Sequence, residues 1–442
     1  MTETFENFRQ QFQLLTESQD GQKSSLLELR YQAMERFCEL GFPTTNMEDW
    51  RETDVSRLAK SEYALAPTLY PKLTKKDLQY FLIDPQHVST IVIVDGNYST
   101  ELSFIQKAAA QASVINLFSE ASIQERKMID SLLGNLATFY DETFVALNTA
   151  FMSDGVLIHV PKGEVIPRPI HILYLTTTHE KEVMYNYRNI IFLEEGSEAT
   201  IIEHYASWDG SPSLTNVVTE IKIDHNAVLH HVKIQEEATI VDHLAVTQAE
   251  VHTNAVLTSA IFTVGARLSR NDLRVRLVGE GAECNLSGLV LASGEQHQDN
   301  HTLIDHQAPH GSSREIFKGI HTDSSRGVFN GRIIVREEAQ ITNAEQSNKN
   351  LLLSEKALVN SNPQLEIYAD NVRCTHGSTT GQLDEDAIFY LRSRGLDVLT
   401  AQSLLINGFA NEIIDEVQIG AVNIYLYRIL SNWLLTLMSH KS

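Results

Sequence analysis

Turn-like segments recur every 28 residues through the middle of this chain. Ala199 in EEGSEAT is followed by Ala227 in IDHNAVL and Ala255 in VHTNAVL, and then by Glu283, Gly311 and Ala339 in GEGAECN, HGSSREI and REEAQIT. Between them lie short runs of Val, Ile, Leu and Thr, such as EIKID, LRVRLV and GRIIVRE, which read as strands. No proline occurs between Pro212 and Pro309, so the backbone N–H groups there are free for ladders. A fixed period of this size predicts a solenoid. The units hold strand and turn but no helix, which disfavours helical and leucine-rich repeats. A parallel β-helix fits, with coils stacked about 4.8 Å apart. The competing reading is a β-sandwich with coincidental spacing.

The segments on either side have a different grammar. Residues 1–140 read as a mostly helical region. SSLLELRYQAMERFCEL places Leu26, Leu29, Met34, Phe37 and Leu40 at helical spacing, and Gly41 and Pro43 stop it. One short strand, TIVIVDG, interrupts the region before QERKMIDSLLGNLATFYDETFVAL turns helical again. Residues 141–383 form the β-helix core, and 384–442 return to helix. LDEDAIFYLRSRG starts acidic and stops at Gly395. Two helices follow, at Val398–Val417 and Gly420–Ser439. The last carries Leu426, Leu430, Trp433, Leu434 and Leu437 on one face. Sixty residues are few for an independent core, so these helices are expected to pack on the end of the β-helix and show an apolar face to a partner.

Composition limits the function. A net charge of −22 disfavours nucleic acid and anionic lipid as partners. The N-terminus has no signal-peptide pattern, and Ile419–Met438, broken by Asn423, Arg428 and Asn432, reads as an amphipathic helix and not a membrane span. Three distant cysteines, Cys38, Cys284 and Cys374, suit a reducing cytoplasm. No P-loop, GxGxxG or GxSxG motif is present.

Two constellations could carry chemistry. His297, His301, His306 and His310 crowd into HQDNHTLIDHQAPH with Asp299 and Asp305. Imidazole and carboxylate could bind zinc or iron there, but a hydrogen-bonded polar ladder on the β-helix surface is the favoured reading. Cys374 and His376 in VRCTHGSTTG are two apart, so on a strand they face the same way and could grip one metal ion. A buried cysteine beside a hydrogen-bonded histidine is the alternative. Two ligands do not complete a coordination sphere, so a second chain would supply the rest.

Four stretches resemble the SufB/SufD family of the SUF iron–sulfur cluster assembly system: Gly41–Asp54 (GFPTTNMEDWRETD), Ile316–Ala357, Pro363–Leu396 and Ile406–Ile413. The resemblance spans essentially the whole chain and falls on the SufD branch. The segment AEQSNKN offers Ser347, Asn348 and Lys349 where SufB-like chains have a cysteine, and Cys374-Thr375-His376 follows the SufD pattern. Glu52 stands where the family usually has an aromatic residue.

The resemblance implies a mainly β fold: a right-handed parallel β-helix flanked by α-helical N- and C-terminal regions. It implies a SufB-like paralogue paired through the β-helix end and a SufC-like ABC ATPase on the C-terminal helices, with a homodimer open to the isolated chain. It implies a transient Fe–S cluster or iron held at the SufB–SufD junction by His376 and Cys374, with nothing tightly bound to the isolated chain. The subunit would then be a non-catalytic, cytoplasmic scaffold, with ATP hydrolysed by its partner. Two other readings remain: a brace for SufB and SufC that ligates no iron, and a polysaccharide-active β-helix enzyme. The enzyme would need acids such as Asp299, Asp305 and Glu315 lined along one groove.

Overall fold

The structure, a computed structural model, describes residues 5–18, 24–67, 72–105, 114–152 and 154–439. Among these, two sheets of ten strands each form the body of the molecule. Strands Val183–Leu193, Ser213–Ile223, Asp242–Val251, Leu268–Leu277, His297–His306, Arg326–Val335 and Leu358–Ile367 stack in parallel in the first sheet. Glu198–Ser207, Val228–Glu236, Val256–Val264, Glu283–Ala292, Ser312–His321, Asn343–Leu352 and Arg373–Gly381 do so in the second. The chain alternates between the sheets, one strand in each per coil. This is the parallel β-solenoid that the repeat predicts, and the sandwich reading falls with it.

The period itself is an average. Glu198 pairs with Val228, Val228 with Val256, Val256 with Glu283, Glu283 with Ser312 and Ser312 with Asn343. Those steps run from 27 to 31 and average 29, because strand lengths hold nearly constant while the corners take up the difference. The structurally equivalent corner residues are Ser197, Ala227, Ala255, Ala282, Gly311 and Thr342. Ala199, Glu283 and Ala339 lie off that column. Ala227, Ala255 and Ala282 are fully buried, so the column is small for steric reasons.

One corner is especially tight. Gly265 has φ +104°, and a Cβ there would lie 2.0 Å from the Glu237 carbonyl oxygen of the preceding coil. Ala266 N–H donates to the same carbonyl at 3.0 Å. Gly265→Ala must break this corner and should cost more than about 2 kcal/mol. Urea unfolding of the variant against wild type measures it, and equal midpoints would show that the corner can relax.

Helices cover both flanks of the solenoid. α1 (Glu6–Ser18), α2 (Ser24–Leu40), α3 (Ile123–Leu132) and α4 (Thr143–Phe151) belong to the N-terminal region. The region is helical at its two ends only. Between them the described residues form 3₁₀ turns and short strands, and Ser89–Val94 pairs in parallel with Ile170–Thr176 as part of the second sheet. Phe8, Phe12, Phe37, Phe144 and Phe151, from α1, α2 and α4, bury against Met184, Leu214, Val218 and Leu244 on the outer face of the first sheet.

α5 (Glu385–Ser393), α6 (Val398–Ile414) and α7 (Gly420–Ser439) close the chain. Asp384 caps α5 by accepting from the Asp386 and Ala387 N–H groups. α6 and α7 do not sit on the end of the solenoid as the sequence suggested. They lie along the outer face of the second sheet, where Ile406, Ile413, Leu426 and Leu430 pack on Val232, Ile234, Phe262, Leu289 and Ile316. The reason is the distribution of apolar surface. The outward positions of that sheet are aliphatic, whereas the last coil is polar, so burial draws the helices to the flank. Among the described residues, no helix is long and apolar enough to cross a membrane.

Candidate functional site

Alternation along each strand sends every second side chain inward. In the middle coils the inward residues are largely aliphatic, for example Leu257, Ile261, Val275 and Leu277. Toward the C-terminal end they turn polar. Asn343–Leu352 sends Ala344, Gln346, Asn348 and Asn350 inward, with Gln346 and Asn348 almost fully buried. Asn350 donates to Asn348 Oδ1 at 2.6 Å, Ser361 Oγ donates to the same oxygen at 2.8 Å, and Ser378 Oγ reaches Ser361 Oγ at 2.8 Å.

Arg373–Gly381 is the final strand. Its register sets Cys374 over Ala344 and His376 over Gln346. Cys374 and His376 therefore share the inward side, as their spacing predicts, but no further coil covers them. Cys374 is half-buried against the core and His376 is exposed. Burial raises the Cys374 thiol above its ordinary range, although the Ala344 backbone pulls the other way. The thiol is protonated at neutral pH and is no activated nucleophile by itself. Among the described residues, no three His, Cys, Asp or Glu side chains converge as a metal cage. The two final strands, Leu358–Ile367 and Arg373–Gly381, each end their sheet, so each has one edge without a strand partner among the described residues.

Beneath His376 runs a buried polar column that the sequence did not flag. Glu315 pairs with Gln346 in register, and Gln346 Nε2 donates to Glu315 Oε2 at 2.7 Å. Burial pushes the Glu315 carboxyl up to about 7. The available signal was the run Gln346, Asn348, Asn350: polar residues at alternate positions where a solenoid core wants aliphatics. In the AEQSNKN segment, Asn348 points in, while Ser347 and Lys349 point out.

The histidine cluster does not converge on one point but is spread through a hydrogen-bonded polar network. His297, Asp299 and His301 share the outer face of their strand, but His306 points inward and His310 sits at a corner. Thr53 Oγ1 donates to Asp299 at 2.6 Å and lies 2.9 Å from His297 Nε2, and Arg270 bonds Asp299 at 2.9 Å. His301 lies 3.0 Å from Asp299. Burial alone would raise the Asp299 carboxyl, but Arg270 and His301 outweigh it and hold it far below the usual carboxylate range. Burial pulls the His301 imidazole down, yet Asp299 outweighs it and the ring ends above its ordinary value. His306 Nε2 pairs with Ser313 Oγ at 2.9 Å.

This network is the seat of the EDWRETD segment. Trp50 stacks on Arg270, whose guanidinium lies 3.8 Å from the ring centroid and also donates to the Asp49 carbonyl at 2.7 Å. Glu52, the departure from the family pattern, accepts from Asn360 of the last coil at 2.5 Å. The acids that a polysaccharide-active enzyme would line up do not share a groove. Asp299 is held by Arg270, Asp305 is held by Arg336 at 2.8 Å, and Glu315 faces the interior.

The fold is a parallel β-solenoid braced by helices on both flanks, with Cys374 and His376 on its polar last coil. Comparison with known proteins gives the family. The SufBD core domain of SUF system FeS cluster assembly matches residues 175–409, and the SufBD N-terminal region matches 2–172. An iron–sulfur cluster assembly SufBD family protein of Synechocystis is 31% identical over 407 residues, 90% of this chain and 89% of that one. The iron–sulfur cluster assembly protein SufD of Escherichia coli is 29% identical over 415 residues, 93% of each chain. The chain belongs to the SufBD family of iron–sulfur cluster assembly proteins, as a homologue of SufD.

Proposed function

We propose that this chain is the SufD-type subunit of an assembly complex, pairing through its last coil with a SufB-like paralogue and carrying a SufC-like ABC ATPase on its C-terminal helices. The observation that carries the reading is the last coil. Two strand edges without partners among the described residues lie side by side there, and His376 sits on one of them with Cys374 two residues away. Unpaired edges accept strands from another chain. The cargo is iron, or a nascent Fe–S cluster. His376 supplies a neutral imidazole and Cys374 a thiol that iron deprotonates on binding. The partner supplies the remaining donors, so the cluster is held between chains and is free of a four-cysteine cage.

The ATPase site rests on α5 to α7. Phe389, Leu404, Ile424 and Leu435 stay exposed there, at 73%, 50%, 74% and 64%, although the opposite faces of the helices are buried. ATP hydrolysis belongs to that partner, the isolated chain can self-pair through the same edges, and the complex works in the cytoplasm.

The test is anaerobic co-expression with SufB- and SufC-like partners, with and without His376→Ala. The variant complex should assemble in normal yield and lose most of its iron and labile sulfide. If it keeps both, the chain is a brace and the Cys-x-His pair is structural.

A further inference from the structure

The column below His376 holds a buried acceptor without a partner among the described residues. Gln346 is 1% exposed and its Nε2 is committed to Glu315 at 2.7 Å. In this arrangement the amide nitrogen faces Glu315 and the oxygen does not. The other amide atom, Gln346 Oε1, is buried with no hydrogen-bond partner among the described residues. An orphan buried acceptor is costly and is normally matched. The next residue up the column, in register with Gln346, is His376.

The opposite sheet makes room for this amide. A Cβ on Gly331 would lie 2.3 Å from Gln346 Nε2, so the glycine leaves the space that the amide fills. Gln346 is held from below by Glu315 and has room from the side at Gly331.

We propose that Gln346 is a positioning residue for the junction: its Oε1 accepts a ring N–H from His376 when the last coil is covered, fixing the tautomer and leaving the other ring nitrogen for iron. A histidine that ligates metal usually donates its second ring N–H to such an acceptor, which aims the ring and raises its basicity. The inference rests on His376 being an iron ligand at a covered junction.

The test compares Gln346→Met, which keeps volume and removes the acceptor, with His376→Ala, both in the complex with SufB- and SufC-like partners. One readout needs no iron. In ¹⁵N-histidine-labelled complex, the signals lost in His376→Ala identify the His376 ring. These should show one tautomer in wild type and a mixture in Gln346→Met. The second readout is ferrous iron retained against a chelator, which should fall about tenfold or more in Gln346→Met. Gly331→Ala, whose Cβ would crowd the Gln346 amide and also the Phe329 ring, should reproduce both effects in part, and normal assembly of the complex with the methionine variant guards against a folding defect. If His376→Ala itself keeps iron, the junction reading fails. If His376→Ala loses iron while Gln346→Met retains it with an unchanged tautomer, the junction stands and the role of Gln346 is overturned.

Discussion

Replacing Glu220 with alanine should destabilise the protein by about 4 kcal/mol or more. Glu220 is 1% exposed on the outer face of the first sheet and pairs with Arg188, itself fully buried, at 2.5 Å. Its carboxylate also accepts the backbone N–H groups of Gly134, Leu136 and Ala137, at 2.9, 3.0 and 3.0 Å. One side chain thus pins the loop between α3 and α4 to the solenoid. Removing it leaves a buried guanidinium without its counter-charge, and that stranded charge dominates the loss. The double variant Glu220→Met with Arg188→Met should recover much of the stability, because removing both charges also removes their desolvation penalty. Urea unfolding of the single and double variants checks this. A double variant as unstable as the single would mean that the loop bonds dominate and the ion pair does not. The exposed Lys162–Glu195 pair is the control, and its loss should leave the midpoint unchanged.

The contribution of Glu315 to stability should fall as pH rises from about 5 to 8. In the folded chain burial holds its proton to about pH 7, whereas the ordinary carboxyl value is 4.5. Across that window the folded state binds the extra proton, so stability is lost as pH rises. Below the window both states are protonated and there is no penalty. Above it the penalty is complete, on the order of 3 kcal/mol. Glu315→Gln keeps the shape and an acceptor for Gln346 Nε2 but cannot ionise. Its advantage over wild type should be absent near pH 4, grow through neutrality and level off by pH 8. Parallel curves for the two proteins would show that the site is hydrated and the carboxyl unperturbed.

The stacking of coils was legible because a solenoid repeats its constraint. Every coil must place a small residue at the corner and aliphatic residues inside, so the pattern survives even where individual steps differ from 28. The pairing of Cys374 with His376 on one side of a strand followed from period-two geometry and held. The histidine cluster left a metal-site reading open beside the favoured polar ladder, because spacing alone cannot show that Thr53 and Arg270, far away in sequence, occupy Asp299. The helices after residue 384 were legible as helices, but not their seat, which depended on the outward positions of strands up to two hundred residues earlier.

By itself the sequence determined the local periods: strand and turn in the middle, helix at both ends, and a Cys-x-His on the final strand. Those depend on neighbours in the chain. Only the tertiary structure decided that His376 tops a buried column of Gln346 and Glu315, that Glu220 locks a loop from the N-terminal region, and that the last coil ends in two open edges. Those depend on stacking between coils, where partners some thirty residues apart meet at one strand spacing, and on the absence of a further coil to cover the end.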